Sequence, residues 1–258
     1  MIVWQIFSAV FGSMIGSFLN ALSYRIPVRK SIADGRSKCP QCDKLIHWYE
    51  NIPIFSYIFL RGKCSECKSR IPWSYFLVEV AMAIFAFFHT PSELSREAAL
   101  SYFFDISVFA SFLLIIVIDL KHKIIPNKVN IFLAILFFGS VVLNKSYLYW
   151  LLGGAIGILF PLGVTYLFYL LKGQIGLGGG DIKLWGALGL FLGTEGIIQN
   201  ISYSCLLGSL VAGGLMIFKV VDRKTPIPFG PFIVVISFFQ IFFPEVIGEF
   251  NKMIFSFS

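Results

Sequence analysis

The chain has 258 residues, of which 57% are hydrophobic and only 14% charged, with a formal net charge of +7 and a mean hydropathy of +0.81. A soluble globular domain carries about 25% charge, so the composition argues against a water-soluble enzyme. Apolar runs of about 20 residues recur along almost the whole length and mark an all-α polytopic membrane protein, and because they are continuous rather than alternating, a β-barrel is disfavoured.

The first run, residues 2–22, has no basic residue before it; Arg25 follows it. A cleaved signal peptide has the opposite order, so this segment is expected to be a retained span that starts outside the cell. No lipidation box stands out. Residues 25–72 form the only long polar segment. Beyond it come apolar runs at 73–89, 101–118, 129–143, 147–170, 182–198, 201–219 and 229–247. About eight transmembrane helices are therefore expected, the fourth and sixth being short. The sixth contains "GALGLFLG", a small-residue pattern that lets helices approach closely. The domain reading is a first helix at 1–24, a cysteine domain at 25–72 and a seven-helix membrane domain at 73–258.

Charge tests this arrangement. With the start outside, the inner loops carry 10 Lys/Arg in 25–70, three in 121–128, two at Lys172 and Lys183, and three in 219–224, which makes 18. The outer side carries Arg96, Lys145 and Lys252, which makes 3. That asymmetry follows the positive-inside rule. The net charge is then topological, and no basic groove for nucleic acid is implied.

The polar segment holds four of the five cysteines, as "CPQC" (Cys39, Cys42) and "CSEC" (Cys64, Cys67). Two Cys-x-x-Cys knuckles resemble a zinc ribbon, each supplying two soft ligands to a tetrahedral Zn²⁺. Four protein ligands leave no open position, so the metal would be structural. It would also stabilise a domain too small for a core of its own. Reduced thiols or a redox pair are the alternative. His47, His89 and His122 read as loop or interface residues, and Cys205 as packing.

Ionisable residues in spans are functional candidates by default. Glu79 lies inside the second span. Asp105 lies near the outer start of the third and reads as solvated. Asp119 ends the third in "IIVIDLKHKIIPN", and Asp181 opens the sixth behind Gly178, Gly179 and Gly180. On the span map Asp119 and Asp181 share the cytoplasmic depth. Two carboxylates that meet share a proton: one ionises and activates water, the other stays protonated and polarises a carbonyl. The alternative is that each is an interfacial acid paired with a local lysine, Asp119 with Lys121 or Lys123 and Asp181 with Lys183. The glycines are expected to permit backbone conformations closed to other residues and to leave room for a substrate strand. A dinucleotide reading of "GLGGG" fails for want of a preceding strand.

Five segments in order resemble the type IV prepilin peptidases, membrane aspartic proteases of the GxGD class: "GSFLNALSYRIP", the stretch from Cys39 to Glu79, "DLKHKIIPN", "GGGDIKLWGALGLFLG" and "IPFGPF". The resemblance implies Asp119 and Asp181 as catalytic pair, with Gly178, Gly180, Lys183 and Glu79 in support. It implies removal of a short basic leader, after its terminal glycine, from prepilins or pseudopilins at the cytoplasmic face of the bacterial inner membrane. It also implies N-methylation of the new terminus with S-adenosyl-L-methionine, linked to the region of about 25–79. Two other readings stand beside it: an ion-coupled transporter with paired carboxylates, and a membrane scaffold whose zinc ribbon recruits a partner.

Overall fold

The structure is a computed structural model that describes residues 1–31, 35–93, 95–143, 147–174, 176–222 and 225–255. Lys145, Arg223 and Lys224, which enter the charge count above, lie outside the described residues. The described chain is almost wholly helical, with two isolated β-bridges and no strand. Residues 1–117 form one compact unit and residues 118–258 another.

In the first unit α1 (Ile2–Arg25) packs along α3 (Trp73–Phe88). The approach is possible because α1 has glycine at the crossing. A methyl group on Gly12 would lie 2.5 Å from the Met82 carbonyl oxygen, and one on Gly16 would lie 2.7 Å from Glu79 Cα. Between these helices run a 3₁₀ turn (Trp48–Asn51) and the short α2 (Phe55–Phe59). Asn20 of α1 donates to the Tyr75 carbonyl at 2.9 Å and so ties α1 to α3. Asp105 is half-buried in α4 (Arg96–His122), and not the solvated acid expected.

The second unit begins at the end of α4 and comprises α5 (Asn127–Leu143), α6 (Tyr147–Lys172), α7 (Gly179–Ile217), α8 (Gly230–Phe242) and α9 (Pro244–Phe255). Helix α6 lies along α7 on a seam of small residues, as the glycine pattern predicts. A methyl group on Gly153 would stand 2.4 Å from the Gly189 carbonyl oxygen, and one on Gly157 2.3 Å from that of Trp185. Outward from this seam α6 exposes Leu159, Tyr166 and Leu170, the apolar face that a bilayer would cover.

Among the described residues four helices are long and apolar enough to cross a membrane, and a fifth span results if α8 and α9, bent by 104°, count as one. The count falls below the expected eight for two reasons. Helices α3 and α5 have 16 and 17 residues, or roughly 24–26 Å, against a hydrocarbon core of about 30 Å. The sixth and seventh expected spans also fall together in the 39-residue α7, whose two limbs meet at a break rather than a loop.

That helix is no rod. Trp185 Nε1 donates to Asn200 Oδ1 at 3.0 Å, although 15 residues of straight helix would separate them by about 22 Å. The chain reverses at Gly193, whose φ of 69° and ψ of −171° fall in a region open essentially to glycine alone. The break therefore sits at Gly193 and not at the polar pair Gln199–Asn200. Asn200 reads as loop only in isolation. In the fold it is fully buried and also donates to Ser237 Oγ at 2.9 Å and Gln240 Oε1 at 2.7 Å, so its polarity is satisfied inside the packing.

Gly153→Val is expected to overpack the α6–α7 seam and destabilise the protein by about 1–3 kcal/mol. Gly163→Ala, which meets nothing within 4 Å, is expected to leave it unchanged. Thermal unfolding of both variants in detergent checks this.

Candidate active site

Helix α4 ends where Lys123, at φ 56°, donates its N–H to the Asp119 carbonyl at 2.8 Å. Pro126 then opens α5, since a proline is tolerated where the first N–H groups of a helix have no internal partner. The connection between them carries Ile125, which is buried. Asp119 is only 4% exposed, and its Oδ2 accepts the backbone N–H of Gly230 at 2.9 Å. Gly230 is the first residue of α8, so the carboxylate occupies the positive end of that helix.

Asp181 lies in the first turn of α7, with Gly178 as the capping residue. It too sits at a helix N-terminus. Ile125 is the strut between the two acids. A methyl group on Gly180 would lie 3.0 Å from Ile125 Cβ, and one on Gly230 would lie 3.1 Å from Ile125 Cδ1 and 2.8 Å from Asp119 Oδ2. The charge of Asp119 acts on Asp181, so the two carboxylates repel when both are ionised.

The glycines before Asp181 serve differently from the expectation. None of Gly178, Gly179 and Gly180 has a positive φ. What two of them provide is space: a methyl group on Gly178 would stand 2.7 Å from Asp181 Oδ2, and one on Gly180 would strike Ile125. Gly179 meets nothing within 4 Å. Lys183 does not pair with Asp181; its Nζ donates to Asn127 Oδ1 at 2.9 Å and ties α7 to α5.

Beneath the acids, Trp185 is one helical turn along α7 and 1% exposed. Its ring meets that of Phe229 at 5.7 Å, the residue that precedes Gly230. Reading the sequence without the fold missed Gly230, Ile125, Asn130 and Asn200. Gly230 was visible in "IPFGPF" only as the opening of a span. Asn130 and Asn200 carried the one available signal, an amide inside an apolar run.

In the first unit Glu79 is buried and accepts the Ile54 N–H on Oε2 at 2.7 Å and the Asn20 amide on Oε1 at 3.4 Å. Ile54 has φ 66° and ψ −56°, and the N–H of Phe55 reaches back to the Pro53 carbonyl at 2.7 Å. This is a γ-turn of the rare, strained hand, held by a carboxylate from the span beside it.

The four cysteines come together, their sulfurs all within 4.8 Å of one another. Cys39 Sγ is 3.8 Å from Cys67 Sγ, and Cys42 Sγ is 4.0 Å from Cys64 Sγ. A tetrahedral zinc with bonds of about 2.3 Å needs sulfurs about 3.8 Å apart, so the donor set fits the metal. The two knuckles are one motif used twice. In "SKCPQCDKLI" and "GKCSECKSRI" the Cys39 and Cys64 N–H groups donate to Lys44 and Ser69 carbonyls at 2.9 Å each, and Asp43 and Lys68 both take positive φ.

Backbone N–H of Gln41, opposed by burial, holds the Cys39 thiol down at about 6, and the Ser69 hydroxyl lowers Cys67. Both favour the thiolate that a metal takes. Glu50 joins the knuckles, accepting from Ser65 Oγ and pairing with Lys44 Nζ at 3.0 Å. The Ser65 hydroxyl, then the His47 N–H, holds the Glu50 carboxyl down at about 2. Its folded value lies below its ordinary 4.5, so this tie is fully present above about pH 4.5 and is lost as pH falls through about 2.

Residues 10–91 match the family model of the Bacterial Peptidase A24 N-terminal domain, and residues 106–213 match that of the Type IV leader peptidase family. The chain is 32% identical over 226 residues to a prepilin leader peptidase/N-methyltransferase of Bacillus subtilis (strain 168), covering 86% of this chain and 87% of the relative. It is 32% identical over 255 residues to a protein of the same description from Vibrio cholerae, covering 93% and 97%. No solved structure matches the chain significantly.

Elemental analysis of the purified protein is expected to find one zinc per chain, and Cys39→Ser or Cys64→Ser to lose it. Wild-type protein free of zinc contradicts the assignment.

Proposed function

The chain belongs to the type IV leader peptidase family, and on that premise we propose that it is a membrane aspartic endopeptidase. Its reaction is removal of the short basic leader from type IV prepilins or pseudopilins, followed by N-methylation of the new terminus. The observation that carries the peptidase half is the meeting of Asp119 and Asp181 about Ile125, each at a helix N-terminus. An isolated acid in a span is costly, and a pair is more so. Two helix ends directed at two carboxylates suit a site built to hold one proton between them.

The chemistry follows from that sharing. The ionised carboxylate takes a proton from water, and the water oxygen bonds to the scissile carbonyl carbon. The protonated carboxylate donates to the carbonyl oxygen as negative charge develops there. Collapse breaks the C–N bond: the proton taken from water passes to the leaving amine, and the proton given to the carbonyl oxygen returns to the carboxylate that donated it. Gly230 fixes one Asp119 oxygen, so the carboxylate pivots little during these transfers. Gly178 and Gly180 supply the space that lets Asp181 and Ile125 approach, and Lys183 anchors α7 through Asn127.

The 18 to 3 distribution of basic residues supports a start outside the cell. Residues 25–72 then lie in the cytoplasm as a zinc domain between the helix at 1–24 and the membrane domain at 73–258. Both aspartates lie at the cytoplasmic edge of the bacterial inner membrane. There they reach only the bond between a soluble leader and an entering apolar helix.

Methyl transfer needs S-adenosyl-L-methionine, which supplies an electrophilic methyl group. In the first unit a cavity of about 450 Å³ is lined by Arg25, Arg36, Trp48 and Asn51 among others. Guanidinium groups and an exposed indole suit a carboxylate and a purine, so the lining fits this donor. Glu79 supports the same region by holding the turn at Ile54.

Asp119→Asn, whose side-chain oxygen still offers Gly230 an acceptor, and the isosteric Asp181→Asn are each expected to leave a folded protein and to slow leader removal on the order of 10³-fold or more. Normal cleavage by either variant sinks the pair. Gly230→Ala would push a methyl group against Asp119 and is expected to cost on the order of 100-fold. A gel-shift assay on a prepilin in proteoliposomes measures all three.

A further inference from the structure

Beside the aspartates, α5, α6 and the first limb of α7 enclose a groove of about 530 Å³. Its lining is almost entirely apolar and includes the small residues Ala134, Ala155 and Ala187. One end is polar. There Lys183 bonds to Asn127, and Asn130 Nδ2 donates at 3.0 Å to the carbonyl of Gly180, the residue next to Asp181. Asn130 lines this groove and is only 4% exposed, and its Oδ1 is a buried acceptor with no hydrogen-bond partner.

We propose that this groove seats the first turns of the substrate's apolar helix, immediately beyond the scissile bond, with Asn130 Oδ1 accepting one of that helix's unpaired N–H groups. The inference rests on the peptidase reading above. A peptide unwound at its scissile bond and helical beyond it starts a new helix, and the first four N–H groups of any helix lack internal partners. In a bilayer those groups must be met by protein. Asn130 supplies an acceptor at the right place, one residue contact from Asp181. The apolar walls receive side chains from one face of the helix, and Asn130 ties the polar end of the groove to Gly180, the neighbour of Asp181. A lipid acyl chain would fill the walls but leave Asn130 Oδ1 unsatisfied.

The test compares two substrates: a full prepilin, and a peptide that carries the leader and ends a few residues past the cut. Ala155→Phe and Ala134→Phe each fill the groove. Each is expected to raise KM for the full prepilin about tenfold or more, with kcat held, and to change KM for the truncated peptide far less. A photo-crosslinker at Ile158, in the cleavage-dead Asp181→Asn protein, is expected to capture the first two turns of the mature region. Wild-type cleavage with KM unaltered in both variants overturns the seat alone, as does crosslinking to lipid or leader only. Wild-type protein that cleaves neither substrate overturns the peptidase reading and the seat with it.

Discussion

A single hydrogen bond organises the second unit: Gly230 N–H to Asp119 Oδ2. It satisfies a helix-end donor that has no partner within α8, and it gives a buried carboxylate the polar contact that its surroundings otherwise withhold. A side chain at residue 230 would press on that carboxylate and on Ile125. It also fixes α8 against the end of α4, and Ile125 carries that constraint on to Gly180 and so to Asp181. The site is thus assembled from three chain segments far apart in sequence, each ending or starting a helix at one place.

The rest of the unit keeps those helix ends where they are. The α6–α7 seam brings backbones into contact through Gly153, Gly157, Gly186 and Gly189, and the reversal at Gly193 returns α7 so that Asn200 can hold Trp185. Trp185 in turn backs Phe229, next to Gly230. Glycine seams and a satisfied amide network are what hold helices together in lipid, where burial of apolar surface contributes little between helices. The acids stand at the open end of this packing, beside a groove that still has an unmet acceptor.

Much of this was legible in the sequence, and the rest was hidden for physical reasons. Hydropathy alone marks α1, α4 and α6, because each is a long apolar run. The two knuckles declare themselves by spacing, although their equivalence as one repeated hairpin needs the backbone hydrogen bonds to be seen. Asp119 and Asp181 stand out as acids at span ends. Their meeting could only be inferred from depth, since it is Ile125 and Gly230 that create it and neither is chemically conspicuous. The spans 182–198 and 201–219 put the break at Gln199–Asn200 instead of Gly193, because a buried amide and a loop amide look alike until their partners are known. The glycines before Asp181 are expected to give backbone freedom and room for a substrate strand; none of them needs a positive φ, and at Gly178 and Gly180 the space is taken by the Asp181 carboxylate and Ile125.

The central claim is that the two carboxylates occupy one site, and proximity can be measured without any assay of activity. In a Cys205→Ser background the paired substitution Asp119→Cys with Asp181→Cys places thiols at both positions, and a short thiol-directed crosslinker followed by mass spectrometry reports whether they join. The account predicts an efficient link between positions 119 and 181 in folded protein in lipid, lost on denaturation before labelling. Both thiols labelled singly, with no link between them, would contradict it.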